Sequence, residues 1–409
     1  MKKKPPLKSR RRIVAVTCAL KASPATVYRA LSQASEWRDW LCREAEFEPK
    51  ARAGWKAGWE GGYEAHGAFT LVEPNSRIAF TWEDAEQPAR TKVQLTVKPS
   101  GEGAEVALTH SGYATGARWK KAYDRSTRAW QSSLENLQSV LETGIDLRIA
   151  RRPMLGVNFD VLSAEEAEAF GIAPGHLKLT GVVSGLGAEK AGLARGDVIL
   201  GIGGMMLESP EAISPVLGRF KAGDEVEVSF LRDGKKRSLS LALSPRETPE
   251  VPGDPRSVVA SAREAYAPFW QDMEKLLAGL TEEEASKPEG QGRWSVKEVL
   301  AHLSAAERDN QQSMAWEIMG ESPVIKGNPT VVPERLKAAM TIAPTAAELL
   351  ARYRKDVEES LEMILALRPE FLLRKLRYRR VALGIAEYLE HAKGHLGQIQ
   401  RILRAVVGD

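Results

Sequence analysis

The sequence predicts a multidomain chain with an α+β segment, a mainly-β segment and an all-α four-helix bundle. Three observations predict it. The 409 residues exceed what a single hydrophobic core usually organises. Two breaks interrupt the chain: a basic stretch ending in proline at 149–153, and a run holding Pro245, Pro249, Pro252 and Pro255 beside Gly253. The pieces between the breaks differ in period, from strand-like alternation closed by one long helix, to short strands mixed with short helices, to helical spacing throughout. The resulting division is a basic disordered tail at 1–12, segments at 13–147 and 151–246, a linker at 247–255 and a last segment at 256–409.

Composition narrows the class. With 43% hydrophobic and 27% charged residues the chain is ordinary globular protein. No apolar run approaches the ~20 residues of a membrane span. The run from Ile13 to Leu20 alternates like a strand and has no small-residue cleavage site after it, so no signal peptide is expected. Cys18 and Cys42 are too few for a disulfide framework, which fits a reducing compartment and a cytoplasmic location. Seven of the 58 basic residues lie in the first twelve positions, leaving 51 basic against 54 acidic elsewhere. A solubilising end accounts for that tail better than nucleic-acid or lipid contact. Neither a nucleic-acid partner nor a nucleotide cofactor is expected.

In the first segment, residues 13–20 read as a strand, and Ser23-Pro24 caps and opens a helix. Strand-like runs follow at 54–59, 67–73, 77–82, 92–97 and 105–111. A long amphipathic helix spans about 117–142, with Trp119, Tyr123, Trp130, Leu134, Leu137 and Leu141 near helical period. Ser23-Pro24-Ala25-Thr26-Val27-Tyr28, Trp37 with Trp40, Phe80-Thr81-Trp82 and Thr109-His110-Ser111-Gly112-Tyr113 resemble the START-like SRPBCC superfamily. Within it, they are most similar to the family related to the C-terminal domain of the activator of the heat-shock-protein-90 ATPase. The resemblance implies a helix-grip fold and an apolar small ligand or a chaperone as partner. His66 and His110 lack a partner acid or nucleophile and read as structural or surface residues. Trp55, Trp59, Trp82 and Trp130 suit a ligand pocket or plain core packing alike.

The middle segment puts a glycine inside a loop entering a strand, at Leu155-Gly156-Val157-Asn158-Phe159. A glycine there suits a nest of N–H groups turned toward a carboxylate. Ser163 to Glu166 forms a capping box, Ser209-Pro210 starts a helix running to about Phe220, and Asp233-Gly234 signals a hairpin. The run Ala191-Gly192-Leu193 followed by Gly196-Asp197-Val198-Ile199-Leu200 resembles the PDZ domains of the bacterial high-temperature-requirement proteases. The resemblance implies that a protein or peptide C-terminus adds as a strand beside residues 156–160, its carboxylate at Leu155, Gly156 and Val157, beside Asn158 and Phe159, with Ile213 and Leu217 walling the terminal side-chain pocket. No serine-protease nucleophile or triad accompanies it, so the segment is expected to bind and not to cut.

The last segment shows helical apolar spacing at 256–278, 295–319, 345–366 and 382–406, which suggests a four-helix bundle. Ser295 to Glu298 is a capping box, with Trp294 placed to staple onto Val299. His391 and His395 are four apart and share one helix face. Two such histidines with a third from a facing helix can hold a divalent metal while leaving positions open. The patterns Trp294-Ser295-(x2)-Glu298-(x3)-His302 and His391-(x3)-His395-(x2)-Gln398-Ile399 resemble the DinB-like bundle family. The resemblance implies metal ligands at His302, His391 and His395, with zinc or nickel suited to imidazole. Catalytic residues are not identifiable. The expected function is a multidomain binding or adaptor protein, and the alternative is a metal-dependent, thiol-transferase-like enzyme with its chemistry in the bundle.

Overall fold

The computed structural model describes residues 12–321 and 327–407, so the basic tail lies outside it except for Arg12. The described parts of 1–57, 65–144 and 250–409 pack into one compact unit, and residues 58–64 with 145–249 form a second.

In the first unit, β1 (Arg12–Leu20) leads to α1 (Pro24–Ser32), whose N-terminus is capped by the Ser23 hydroxyl accepting from the Thr26 N–H at 3.2 Å. Then come α2 (Ala34–Trp40), β2 (Glu44–Phe47), β3 (Gly54–Gly58), β4 (Glu64–Glu73), β5 (Arg77–Asp84), β6 (Thr91–Ser100), β7 (Gly103–Tyr113) and α3 (Ala117–Thr143). The strands form one sheet in the order β1-β7-β6-β5-β4-β3-β2, antiparallel along β1-β7-β6-β5-β4. The long helix α3 packs on β1 and β7 and buries Trp130, Leu134, Leu137 and Leu141. This is the helix-grip arrangement. Its interior is a run of aromatic rings: Trp37 to Trp55 at 5.7 Å, Trp55 to Trp82 at 5.0 Å and Trp82 to Trp130 at 5.5 Å. Trp59 packs on Tyr63.

The second unit contains α4 (Leu147–Ala150), β8 (Val157–Val161), α5 (Ala164–Phe170), β9 (Leu177–Val182), α6 (Gly187–Ala191), β10 (Val198–Ile202), β11 (Met205–Met206), α7 (Ile213–Leu217), β12 (Glu225–Arg232) and β13 (Lys235–Ala242). Its sheet runs β13-β12-β10-β9-β8, with β11 paired to β10, so β8 is an edge strand. The capping box at Ser163 and Glu166 forms as expected. The helix expected from Pro210 to Phe220 is shorter: a 3-10 turn at Pro210–Ala212, then α7, which ends before Gly218.

The bundle comprises α8 (Pro255–Leu277), α9 (Glu282–Ser286), α10 (Val296–Met319), α11 (Pro333–Ile342), α12 (Ala346–Leu365), α13 (Pro369–Leu372) and α14 (Lys375–Val407). One core runs through it, including Phe269, Met273, Leu300, Leu349, Ile364, Ile385 and Ile399. The last helix begins seven residues before the apolar period suggests, because its first turns are basic.

Those basic turns join the bundle to the sheet segment, which the sequence separates by a linker. Arg377 is 1% exposed, bonds Asp39 through Nε at 2.7 Å and Glu317 through Nη1 at 3.2 Å, and donates to the Ser35 carbonyl at 2.9 Å. Arg380 reaches Asp39 at 3.2 Å and Glu317 at 3.4 Å, and Arg374 reaches Glu36 at 3.2 Å. The Lys375 ammonium donates to the Glu142 carbonyl at 2.6 Å. Gly144 turns left-handed there (φ +71°), and a Cβ on it would stand 2.7 Å from the Lys375 carbonyl oxygen. Removing one partner of such a buried ion group strands the others in low dielectric, a loss of about 3–5 kcal/mol.

Candidate functional site

The capping box of Ser295 and Glu298 fixes where α10 starts. That start turns Val299, Leu300 and Leu303 into the core and leaves His302 facing inward, 3% exposed. On the facing helix α14, His391 and His395 lie one turn apart. The three rings converge through one atom each. His302 Nε2 is 3.3 Å from His391 Nε2, which is 3.1 Å from His395 Nε2, and all three ligand atoms lie within 4.8 Å of one another. The structure thus brings together the three histidines singled out in the sequence.

What holds the rings was not read from the sequence. His302 Nδ1 meets the Thr330 carbonyl at 3.2 Å, and a carbonyl only accepts, so Nδ1 carries the hydrogen and Nε2 a bare lone pair. His395 Nδ1 meets Gln398 Oε1 at 2.7 Å, which assigns it the same tautomer. The lone His391 Nε2 can donate to at most one of these neighbours. At least one of the two short N···N approaches therefore sets lone pair against lone pair, an arrangement that a cation relieves. A proton is a poor candidate, since burial pushes all three pKa values down, His391 to about 4 with its neighbouring imidazoles adding to the effect. Three ligands at tetrahedral zinc sit about 3.3 Å apart for Zn–N bonds of about 2.0–2.1 Å, so the donor set fits a divalent metal.

Trp294 packs on this group, 4.9 Å from the His302 ring and stacked at 6.4 Å on His395, besides meeting the core that includes Val299. His391 is exposed, so the open side faces solvent. Glu298 is engaged in its cap and Glu387 is exposed; the ring-orienting acceptors are Thr330 and Gln398. Deeper in the bundle, Glu307 is 1% exposed, its Oε1 accepting from Ser360 at 2.5 Å and Asn310 at 2.9 Å. Burial pushes its carboxyl up. Nothing in the apolar spacing marks it, because an acid on a helix reads as surface.

Gly156 (φ +82°) bends the chain beside Leu186, whose Cβ would lie 2.5 Å from a Cβ on residue 156. The Leu155 and Gly156 carbonyls accept from Ala188 and Val183, while no hydrogen bond from either N–H to another backbone group is formed among the described residues. Val157 is half-buried, and Asn158 and Phe159 are exposed on the edge strand β8. On α7, Ile213 is half-buried, whereas Leu217 is 6% exposed and belongs to the core.

His110 is buried at the other end of the chain's chemistry. Its Nδ1 accepts from Trp130 Nε1 at 3.0 Å and from the Tyr113 hydroxyl at 2.9 Å, and its Nε2 donates to Thr91 at 2.7 Å. Every polar atom of the ring is satisfied by protein, a structural role. His66 is exposed on β4.

Three family models match consecutive parts of the chain: Activator of Hsp90 ATPase homolog 1-like protein over residues 21–142, PDZ domain over 153–243 and DinB superfamily over 265–399. Among curated proteins, the chain is similar to a probable periplasmic serine endoprotease DegP-like of Marinomonas sp. (strain MWYL1), 33% identical over 114 residues, which is 28% of this chain and 23% of that protein. It is also similar to a probable periplasmic serine protease do/HhoA-like of Haemophilus influenzae, 31% identical over 116 residues, 28% of this chain and 24% of that protein. The chain spans about a quarter of the length of these relatives. Among solved structures it resembles the Aha1 dimer from Colwellia psychrerythraea (20% identity, TM-score 0.29, 32% of this chain and 98% of that one). An HSP90 activator from Plasmodium falciparum gives 19% identity and a TM-score of 0.28, over 32% and 95% of the two chains. No described helix is long and apolar enough to cross a membrane.

Proposed function

We propose that this chain is an adaptor that docks a protein C-terminus on its PDZ segment and holds a divalent metal on His302, His391 and His395. The observation that carries the metal reading is the convergence of three histidine nitrogens within 4.8 Å of one another, with His391 Nε2 at 3.1 and 3.3 Å from the other two and two rings oriented by their far nitrogens. When bound, a metal of this kind supplies a Lewis acid with positions left for water or substrate. The chain's own residues fix the rings: Thr330 and Gln398 set two tautomers, and Trp294 packs against two of the imidazoles.

The docking reading is supported by the open edge of β8 and the N–H groups of Leu155 and Gly156 beside it. A peptide there would be read at its last side chain by Ile213, with Leu217 stiffening the wall from within. For the first segment, the matching family supports a chaperone or an apolar ligand as partner. Cys18 and Cys42 are free thiols, which supports a reducing compartment such as the cytoplasm. A second reading, a metal-dependent enzyme, is favoured by the exposure of His391, which leaves the group open to a small substrate.

Elemental analysis of the purified full chain tests the metal reading. One equivalent of zinc or nickel per chain is expected, falling to background in His391→Ala with His395→Ala; no retained or added metal would sink it. An array of C-terminal peptides tests docking, and amidating the terminal carboxylate should abolish binding.

A further inference from the structure

The helices that carry the histidines also carry the joint to the sheet segment, several turns away along each helix. On α10, His302 and Glu317 are fifteen residues apart, about 22 Å along the axis. On α14, Arg377 and His391 are fourteen apart, about 21 Å. Each helix is thus a rod that joins histidine chemistry to an ionic contact about four turns away. The contact is on α2, through Ser35, Glu36 and Asp39. That helix is itself anchored in the aromatic interior. Trp37 and Trp40 are each 1% exposed, their indole N–H groups donate to the carbonyls of Leu31 and Ala30, and the Trp37 ring meets Phe47, Trp55 and Phe80.

A buried charge cannot part from its partners without being stranded, so α2 and the start of α14 move together or come apart only by unfolding locally. Asp39 serves both Arg377 and Arg380, and Glu317 binds the same two arginines from α10. One four-member ion group therefore fastens both rods to one short helix. We infer that this joint makes the histidine cluster and the aromatic interior a single thermodynamic unit, so that a cation bound by the cluster tightens the sheet segment. By linkage, whatever tightens the sheet segment then raises affinity at the cluster by the same factor.

The cation arm of this inference rests on the metal reading; the shared unfolding does not. Hydrogen exchange on the full chain separates the two. Adding zinc chloride should slow exchange across residues 34–58 by at least tenfold, in step with the slowing in α12. In Asp39→Asn with Arg377→Gln, which exchanges the charged pair for neutral amides, zinc should still bind once per chain while residues 34–58 no longer respond. Zinc that binds wild type and protects α12 but leaves 34–58 unchanged overturns the inference. If zinc does not bind, the metal reading fails and a second variant decides. Ile364→Ala, in the bundle core, should speed exchange in 34–58 by the same factor as in α12, and wild-type rates in 34–58 would overturn it.

Discussion

His110 and the cluster of His302, His391 and His395 are four histidines with lowered pKa values, yet they stand in opposite relations to the protein. The ring of His110 finds two donors and one acceptor within 3.0 Å and asks for nothing more. In the bundle, the protein satisfies only the far nitrogens of His302 and His395 and then turns the near ones toward each other. Burial alone separates neither case from the other. What distinguishes a structural imidazole from a ligand is whether the ring's one lone pair has a donor of the protein's own.

The comparison breaks most sharply on removal of side chains. His391→Ala should abolish stoichiometric metal while leaving the melting temperature of the metal-free chain within a few degrees, since that residue is exposed. His110→Ala should do the reverse: metal content unchanged, and a loss of roughly 3–5 kcal/mol of stability in urea unfolding, because a buried ring is lost and the Trp130 indole keeps a buried donor without its acceptor. Equal effects of the two substitutions would erase the distinction.

Acid sharpens it further. Burial pushes His110 to about 3, below the ordinary value near 6.5, so the unfolded chain binds the extra proton between those limits. The stability from its neutral form is complete above about pH 6.5 and is lost as the pH falls toward 3, on the order of 5 kcal/mol in all. Subtracting the stability profile of His110→Gln from that of wild type isolates this part, and a flat difference would contradict it. Glu307 has the opposite sign. Its carboxyl is pushed up, so its contribution is full below the ordinary carboxylate range and is lost as the pH rises through its raised value. Glu307→Gln should therefore raise the melting temperature at neutral pH relative to wild type. The smallest effect is at the orienting amide: Gln398→Ala should weaken metal binding roughly tenfold with stoichiometry intact, measured by competition with a chelator.

Much of this was legible from residue order. The caps at Ser23, Ser163 and Ser295, the tight turn at Asp233 and Gly234, and the i, i+4 pair His391 and His395 are local rules that hold whatever surrounds them. The ring-orienting groups were harder, because Thr330 acts through its backbone and any residue there would offer the same carbonyl. The joint was not legible at all. Arg374, Arg377 and Arg380 look like a solvated helix face, and α2 is too short to show a period. Only their partners turn them inward, and Ser35, Glu36 and Asp39 among these lie more than three hundred residues away in sequence. The burial of Leu217 was not legible for a related reason: a wall residue of a groove and a core residue look identical until the depth of α7 is known.

That separation in sequence has a consequence for the order of events at the ribosome. The sheet segment is complete once Gly144 has emerged, but Arg377 follows about 230 residues later. At about 5–20 residues per second, the nascent sheet waits roughly 10–50 s before Arg374, Arg377 and Arg380 can reach Glu36 and Asp39, longer than most small domains need to fold. The middle segment is synthesised during that wait. The chain is therefore open longest at the surface it will finally bury, and that surface is where a chaperone would have time to act.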